Sequence, residues 1–162
     1  MRVYLDNCCY NRPFDPQNQM KIKLESEAKL RIQDLIIQGE IELASSYMSL
    51  YECSKNPNPT RRDSIREYIN KHTAKYVSPD NHKTVVSKAK EIMETGIKYK
   101  DAIHIAAAIY AECDVFLSTD IRALKYKTDE IRLMNPVEFF IGEDDNTALG
   151  EEVTNKDGKN DN

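Results

Sequence analysis

Residues 99–120 read YKDAIHIAAAIYAECDVFLSTD, and this stretch decides the fold. From Asp101 to Cys113 nearly every face of a helix would be apolar, with five alanines and four isoleucines or tyrosines around one His104. A helix apolar all round is a helix buried all round. The β-branched and aromatic run at 115–118 then reads as a strand that ends on Asp120. A buried helix feeding directly into a strand calls for a sheet covered by helices.

The pattern continues outward in both directions. Toward the C-terminus a short helix is predicted at 121–127, a last strand at 131–134 and a helical turn at 137–140 after Asn135-Pro136. Toward the N-terminus, VYLD at 3–6 reads as the first strand, and 7–17, with Pro13 and Pro16, as a connection. A helical period runs over 18–38 and stops at Gly39. Residues 41–45 form a second strand, and Ser46 caps a helix at 47–54. Asn56-Pro57-Asn58-Pro59 breaks the chain before a polar helix at 60–71. A third strand at 74–77 precedes a helix capped by Asp80 or Asn81, running to Thr95 and ended by Gly96. Strands alternating with helices predict an α/β domain over 1–141, with a parallel sheet of four or five strands and helices on both faces.

With 162 residues there is room for one such domain. No run of about 18 apolar residues exists, so no membrane-spanning helix is expected. Asp6 interrupts the start before an apolar signal region can build, and the four cysteines form no CxxC pair. They read as small buried hydrophobes of a reduced, cytoplasmic protein. The net charge of −4 argues at first against nucleic acid. However, residues 142–162 hold seven acids and two lysines and no aromatic residue, a composition that reads as a disordered acidic tail. The remaining 21 basic and 20 acidic side chains of 1–141 are balanced, and the objection falls.

In a parallel α/β sheet, ligands gather at the carboxyl ends of the strands. Asp6 ends strand one and Asp120 follows the strand at 115–118. Glu52 lies in the helix after strand two, leaning back toward the sheet edge, and Asp101 opens the buried helix. Four carboxylates at one edge repel each other and lose solvation. A hard, oxygen-preferring cation, Mg²⁺ or Mn²⁺, resolves that conflict. Taken singly, Asp101 and Asp120 suit helix N-termini and Glu52 a solvated helix face. His104, one turn after Asp101, reads as a core histidine within hydrogen-bonding reach of that acid.

The motifs VYLDN (3–7), LASSYMSLYE (43–52), KDAIHIAAA (100–108) and FLSTD (116–120) together resemble the PIN domain, a fold of Mg²⁺-dependent nucleases that includes VapC-like toxins. The resemblance implies a PIN-like domain over 1–141 and hydrolysis of RNA phosphodiesters by metal-activated water. It places the family's acidic metal positions on Asp6, Glu52, Asp101 and Asp120, with Asn7 and Thr119 as supporting groups. Asn7-Cys8-Cys9 stands where many relatives carry Thr or Ser after the first Asp, which suggests a distinct subgroup. Ile121-Arg122-Ala123 replaces a further acid, leaving the number of ions, one or two, open. Arg12, Lys100 and Arg122 flank the acids as candidate phosphate contacts. The resemblance further implies an RNA substrate, a cognate antitoxin and a homodimer. Two alternatives compete. A receiver domain would need an acidic pair ending strand one and an Asp ending strand three, where Asn7 and Ser78-Pro79 stand. A non-catalytic PIN-like RNA- or protein-binding module is the other.

Overall fold

The computed structural model describes residues 1–141; the acidic tail expected at 142–162 lies outside them. Five strands, β1 (Arg2–Leu5), β2 (Glu42–Ser46), β3 (Thr73–Val77), β4 (Val115–Leu117) and β5 (Arg132–Met134), form one sheet in the order β3-β2-β1-β4-β5. All four pairings are parallel. The chain moves from β1 to β2 to β3, then crosses to the other side of β1 for β4 and β5. The strand order therefore reverses between β1 and β4, and the crevice at their carboxyl ends is where such a sheet takes its ligands.

Strand alternation assigns the two faces. Tyr4, Ala44 and Phe116, in register across β2-β1-β4, face α5 (His82–Met93) and α6 (Tyr99–Tyr110). Val3, Leu5, Leu43, Val115 and Leu117 face α2 (Met20–Ile37) and α4 (Pro59–His72) through Ile32, Ile36, Ile65 and Ile69. Seven consecutive residues of α6, Ala102 to Ala108, are buried, as its apolar sequence requires. Its alanines let the helix lie close to the sheet and to α5.

Local signals were followed closely. Gly39 (φ +76°) and Gly96 (φ +99°) end α2 and α5 in a conformation that strains any side chain. Ser46 and Ser49 form a reciprocal capping box on α3 (Tyr47–Ser54). Asn81 precedes α5 without a side-chain cap, because its Oδ1 accepts from Tyr110 instead. Two expectations need correction. The supposed connection after β1 begins with a short helix, α1 (Asn7–Asn11), capped by Asp6. The helix expected at 121–127 is only a 3₁₀ turn, Ala123–Lys125, in which Ala123 alone is buried. No helix among the described residues is long and apolar enough to cross a membrane.

Under α2, Lys29 is 5% exposed, with Nζ 5.6 and 5.5 Å from the ring centres of Tyr10 and Tyr68. Burial lowers its pKa to about 8, against a smaller opposing effect of Cys9. The unfolded lysine keeps its proton over a range where the folded one has lost it, so stability rises with pH above 8. Such a shift corresponds to about 3 kcal/mol, of which the two cation–π contacts return about 1–2. Lys29→Met is therefore expected to stabilise the fold at pH 7 by about 1–2 kcal/mol. Urea denaturation should show that advantage shrinking between pH 8 and pH 10.

Candidate active site

The site is assembled from the carboxyl ends of β1 and β4 and the first two turns of α3 and α6. Asp6 follows β1 directly and is 5% exposed. Its Oδ1 accepts from the Asn7 amide at 2.8 Å and its Oδ2 from the Ser118 hydroxyl at 2.9 Å. Ser118 Oγ in turn accepts from the Asp120 amide. One serine thus ties the end of β4 to the end of β1.

His104 lies beneath the acids, 1% exposed. Its Nδ1 is 2.7 Å from the Tyr4 hydroxyl, which also meets Ser46 Oγ at 2.7 Å and Ser49 Oγ at 2.9 Å. Its Nε2 is 3.2 Å from Glu52 Oε1 and 3.8 Å from Asp6 Oδ1. These are ion-pair contacts without hydrogen-bond alignment, and Nε2 has no hydrogen-bond partner among the described residues. Ligand atoms of Asp6, Glu52 and His104 all lie within 4.8 Å of one another, a spacing that suits a shared cation. His104 is buried, as the reading of a core histidine expects, and its Nδ1 meets Tyr4 and not Asp101. The helix spacing allowed either, but the hydroxyl from β1 lies directly below the ring.

The charges are strongly coupled. Burial, the largest effect on Glu52, acts upward, yet His104 and then Lys100 hold its carboxyl below the usual range. Burial acts downward on His104, yet Tyr4, Glu52 and Asp6 hold its imidazole well above the usual value. Asp101 is raised, first by burial and then by the charges of Asp6 and Asp120. Asp120 is lowered, first by its hydrogen bonds from the Arg122 side chain and against a smaller effect of burial. Arg122 grips that carboxylate with two contacts of 3.0 and 2.9 Å. Asp6 and Asp120 thus act on Asp101, and Glu52 is tied to Asp6 through His104.

The supporting residues divide. Thr119 Oγ1 is buried at this edge with no partner among the described residues. Asn7 and Lys100 line a cleft beside Glu52. Arg12 is not among its lining residues, and its guanidinium pairs with Asp15 at 3.2 Å and buried Glu25 at 3.4 Å. Tyr4, Ser118 and Cys8 were not singled out from sequence. Cys8 Sγ lies 3.6 Å from Asp6 Oδ2 and accepts from the Thr119 amide, so it belongs to the site as well as the core. The four cysteines among the described residues are free, as expected.

The topology and the acids at its switch point define a PIN-like α/β fold. Among solved structures, VapBC2 from Rickettsia felis, bound to a DNA fragment from its promoter, matches with a TM-score of 0.54 and 14% identity. That match covers 83% of this chain and 98% of the other. FitAcB from Neisseria gonorrhoeae matches with a TM-score of 0.54 and 15% identity, over 83% and 97%. At these identities the likeness is one of fold. No family model matches the sequence, and no curated protein is significantly similar to it.

Two outcomes test this geometry. Tyr4→Phe leaves His104 Nδ1 without its hydroxyl partner, at an expected cost of about 2–3 kcal/mol in urea denaturation. Asp101→Asn removes a carboxylate that folding disfavours. At pH 7 in chelator it should stabilise by less than about 1 kcal/mol, since solvent screens a half-exposed charge. The same variant should lose the stabilisation that added Mn²⁺ gives the parent chain.

Proposed function

We propose that the chain is a Mg²⁺- or Mn²⁺-dependent endoribonuclease, the toxin of a type II toxin–antitoxin pair acting in the cytoplasm. The observation that carries this reading is the meeting of Asp6 and Glu52 over the buried imidazole of His104 at the sheet's switch point, with Asp101 raised by the nearby charges of Asp6 and Asp120. The donor set fits a divalent cation, because the raised Asp101 and the repulsion it reports are relieved by positive charge. Asp6, Glu52, Asp101 and Asp120 would hold the ion. When bound it supplies an activated water and neutralises charge at the phosphate under attack.

The chain's own residues prepare that chemistry. Ser118 and the Asn7 amide fix both oxygens of Asp6, so its orientation is set before substrate arrives. Thr119 Oγ1, without a partner among the described residues, and the amide nitrogen of the Asn7 side chain, whose oxygen accepts from Asn11, would orient a water or a phosphate oxygen. Lys100 and Arg122 supply positive charge for the RNA backbone. The motif resemblance to VapC-like toxins implies a cognate antitoxin as partner, which the fold shared with the VapBC2 complex supports, and a homodimer as the assembly.

Purified chain incubated with mixed RNA and Mg²⁺ or Mn²⁺ should cleave it, and chelator should stop cleavage. Asp6→Asn and Asp101→Asn should each lower the rate by at least about 100-fold. Activity that survives in both variants or in chelator overturns the assignment. Growth arrest on expression, relieved by a co-expressed small neighbouring protein, tests the toxin assignment. RNA binding without any cleavage would identify the non-catalytic module instead.

A further inference from the structure

Beside the acids lies a cleft of about 650 Å³, within the range of small-ligand sites. Glu52, Asn7 and Lys100 form the wall it shares with the acid edge, and Tyr51, Lys55 and the loop 56–58 line the rest together with Asn11 and Arg61. We propose that this cleft binds one unpaired nucleotide of the RNA, next to the phosphate held at the acids. The proposal rests on the nuclease reading and names the part of the substrate that reading leaves undefined.

The wall is built of carboxamides. Asn11 Nδ2 donates to Asn7 Oδ1 at 3.3 Å, Asn56 Nδ2 donates to Asn11 Oδ1 at 2.9 Å, and Asn56 Oδ1 accepts from the Asn58 amide at 3.1 Å. This chain holds the side chains of α1 and of the loop before α4 in place. A carboxamide offers two N–H donors and two oxygen lone pairs, so each keeps groups to spare for a ligand. Paired donors and acceptors at fixed positions match the edge of a nucleobase.

The other components fit the same ligand. Tyr51 is 52% exposed, with Lys55 Nζ 5.1 Å from its ring centre, which makes a stacking platform with a cation beside it. The lining carries Lys55, Arg61 and Lys100 against the single acid Glu52, a balance that favours the phosphates flanking a base. Arg61 is itself held, donating to the Phe14 carbonyl at 2.8 Å and lying 3.8 Å from Asp15 Oδ1, so its position is set and its charge is partly balanced. A base can enter only if it is unstacked, so the ligand is single-stranded RNA and not a duplex. The scarcity of aliphatic side chains in the lining weighs against an apolar protein segment as occupant.

The test uses the full chain carrying Asp6→Asn in Mg²⁺, with fluorescein-labelled single-stranded octauridylate and octaadenylate and a duplex of the two. Anisotropy should show tighter binding of at least one single strand than of the duplex. Tyr51→Ala should weaken that binding about 10-fold and Tyr51→Phe should restore it. Asn56→Ala should change the ratio between the two single strands, whereas Tyr76→Ala, on exposed β3, should change nothing. Binding indifferent to Tyr51 and Asn56, alongside metal-dependent cleavage by the parent chain, overturns the cleft assignment and leaves the nuclease reading standing. Absence of both RNA binding and cleavage overturns the two together. Tyr51→Ala that leaves RNA binding unchanged but weakens the binding of a co-purified neighbouring protein assigns the cleft to that protein and overturns the nucleotide proposal.

Discussion

Two carboxylates rest on a buried imidazole, and the rest of the site is arranged around that contact. Asp6 and Glu52 are both withdrawn from water, a state that disfavours their charges. His104 beneath them is withdrawn still further. Burial disfavours the charges of Glu52 and His104, but each holds the other ionised, Glu52 below its usual range and His104 above. The Tyr4 hydroxyl under the ring completes the arrangement by fixing its orientation through Nδ1.

That hydroxyl also joins the core to the site. The Tyr4 ring stacks on Phe116, 5.8 Å between centres, on the face that α5 and α6 cover. Its oxygen meets the same two serines that cap α3, the helix carrying Glu52. One side chain from the central strand therefore sets the position of α3 and of His104 on α6 together. The other two acids are managed differently. Asp120 is neutralised locally by Arg122, two residues along its own loop, whereas Asp101 has no basic partner so close and bears the repulsion of its neighbours.

Much of this was legible before the fold was known. The buried helix, the strands flanking it, the glycine stops and the serine cap are local properties, set by periodicity and by backbone conformations that few residues adopt. Asp6 and Asp120 stood out because strand ends are legible, and Asp101 because it opens the buried helix. The helix α1 was not, because five residues cannot display a helical period and its cap, Asp6, already read as a strand end. The 3₁₀ turn after Asp120 shows the converse. Local propensity favoured a helix at 121–127, but only Ala123 is buried there, with Tyr126 partly packed on the core.

The sequence by itself determined an alternating α/β chain whose strand ends carry acids, because those patterns repeat within single elements. Tertiary structure alone decided which groups meet. It placed Tyr4 under His104 across 100 residues, tied Ser118 to Asp6 across 112, and committed Arg12 to Glu25 and Asp15. It also brought the carboxamides of α1 beside those of the loop before α4 to make the cleft. The reason is geometric. Periodicity tells which face of an element is buried, whereas the partner found there depends on strand order and on how separate elements pack.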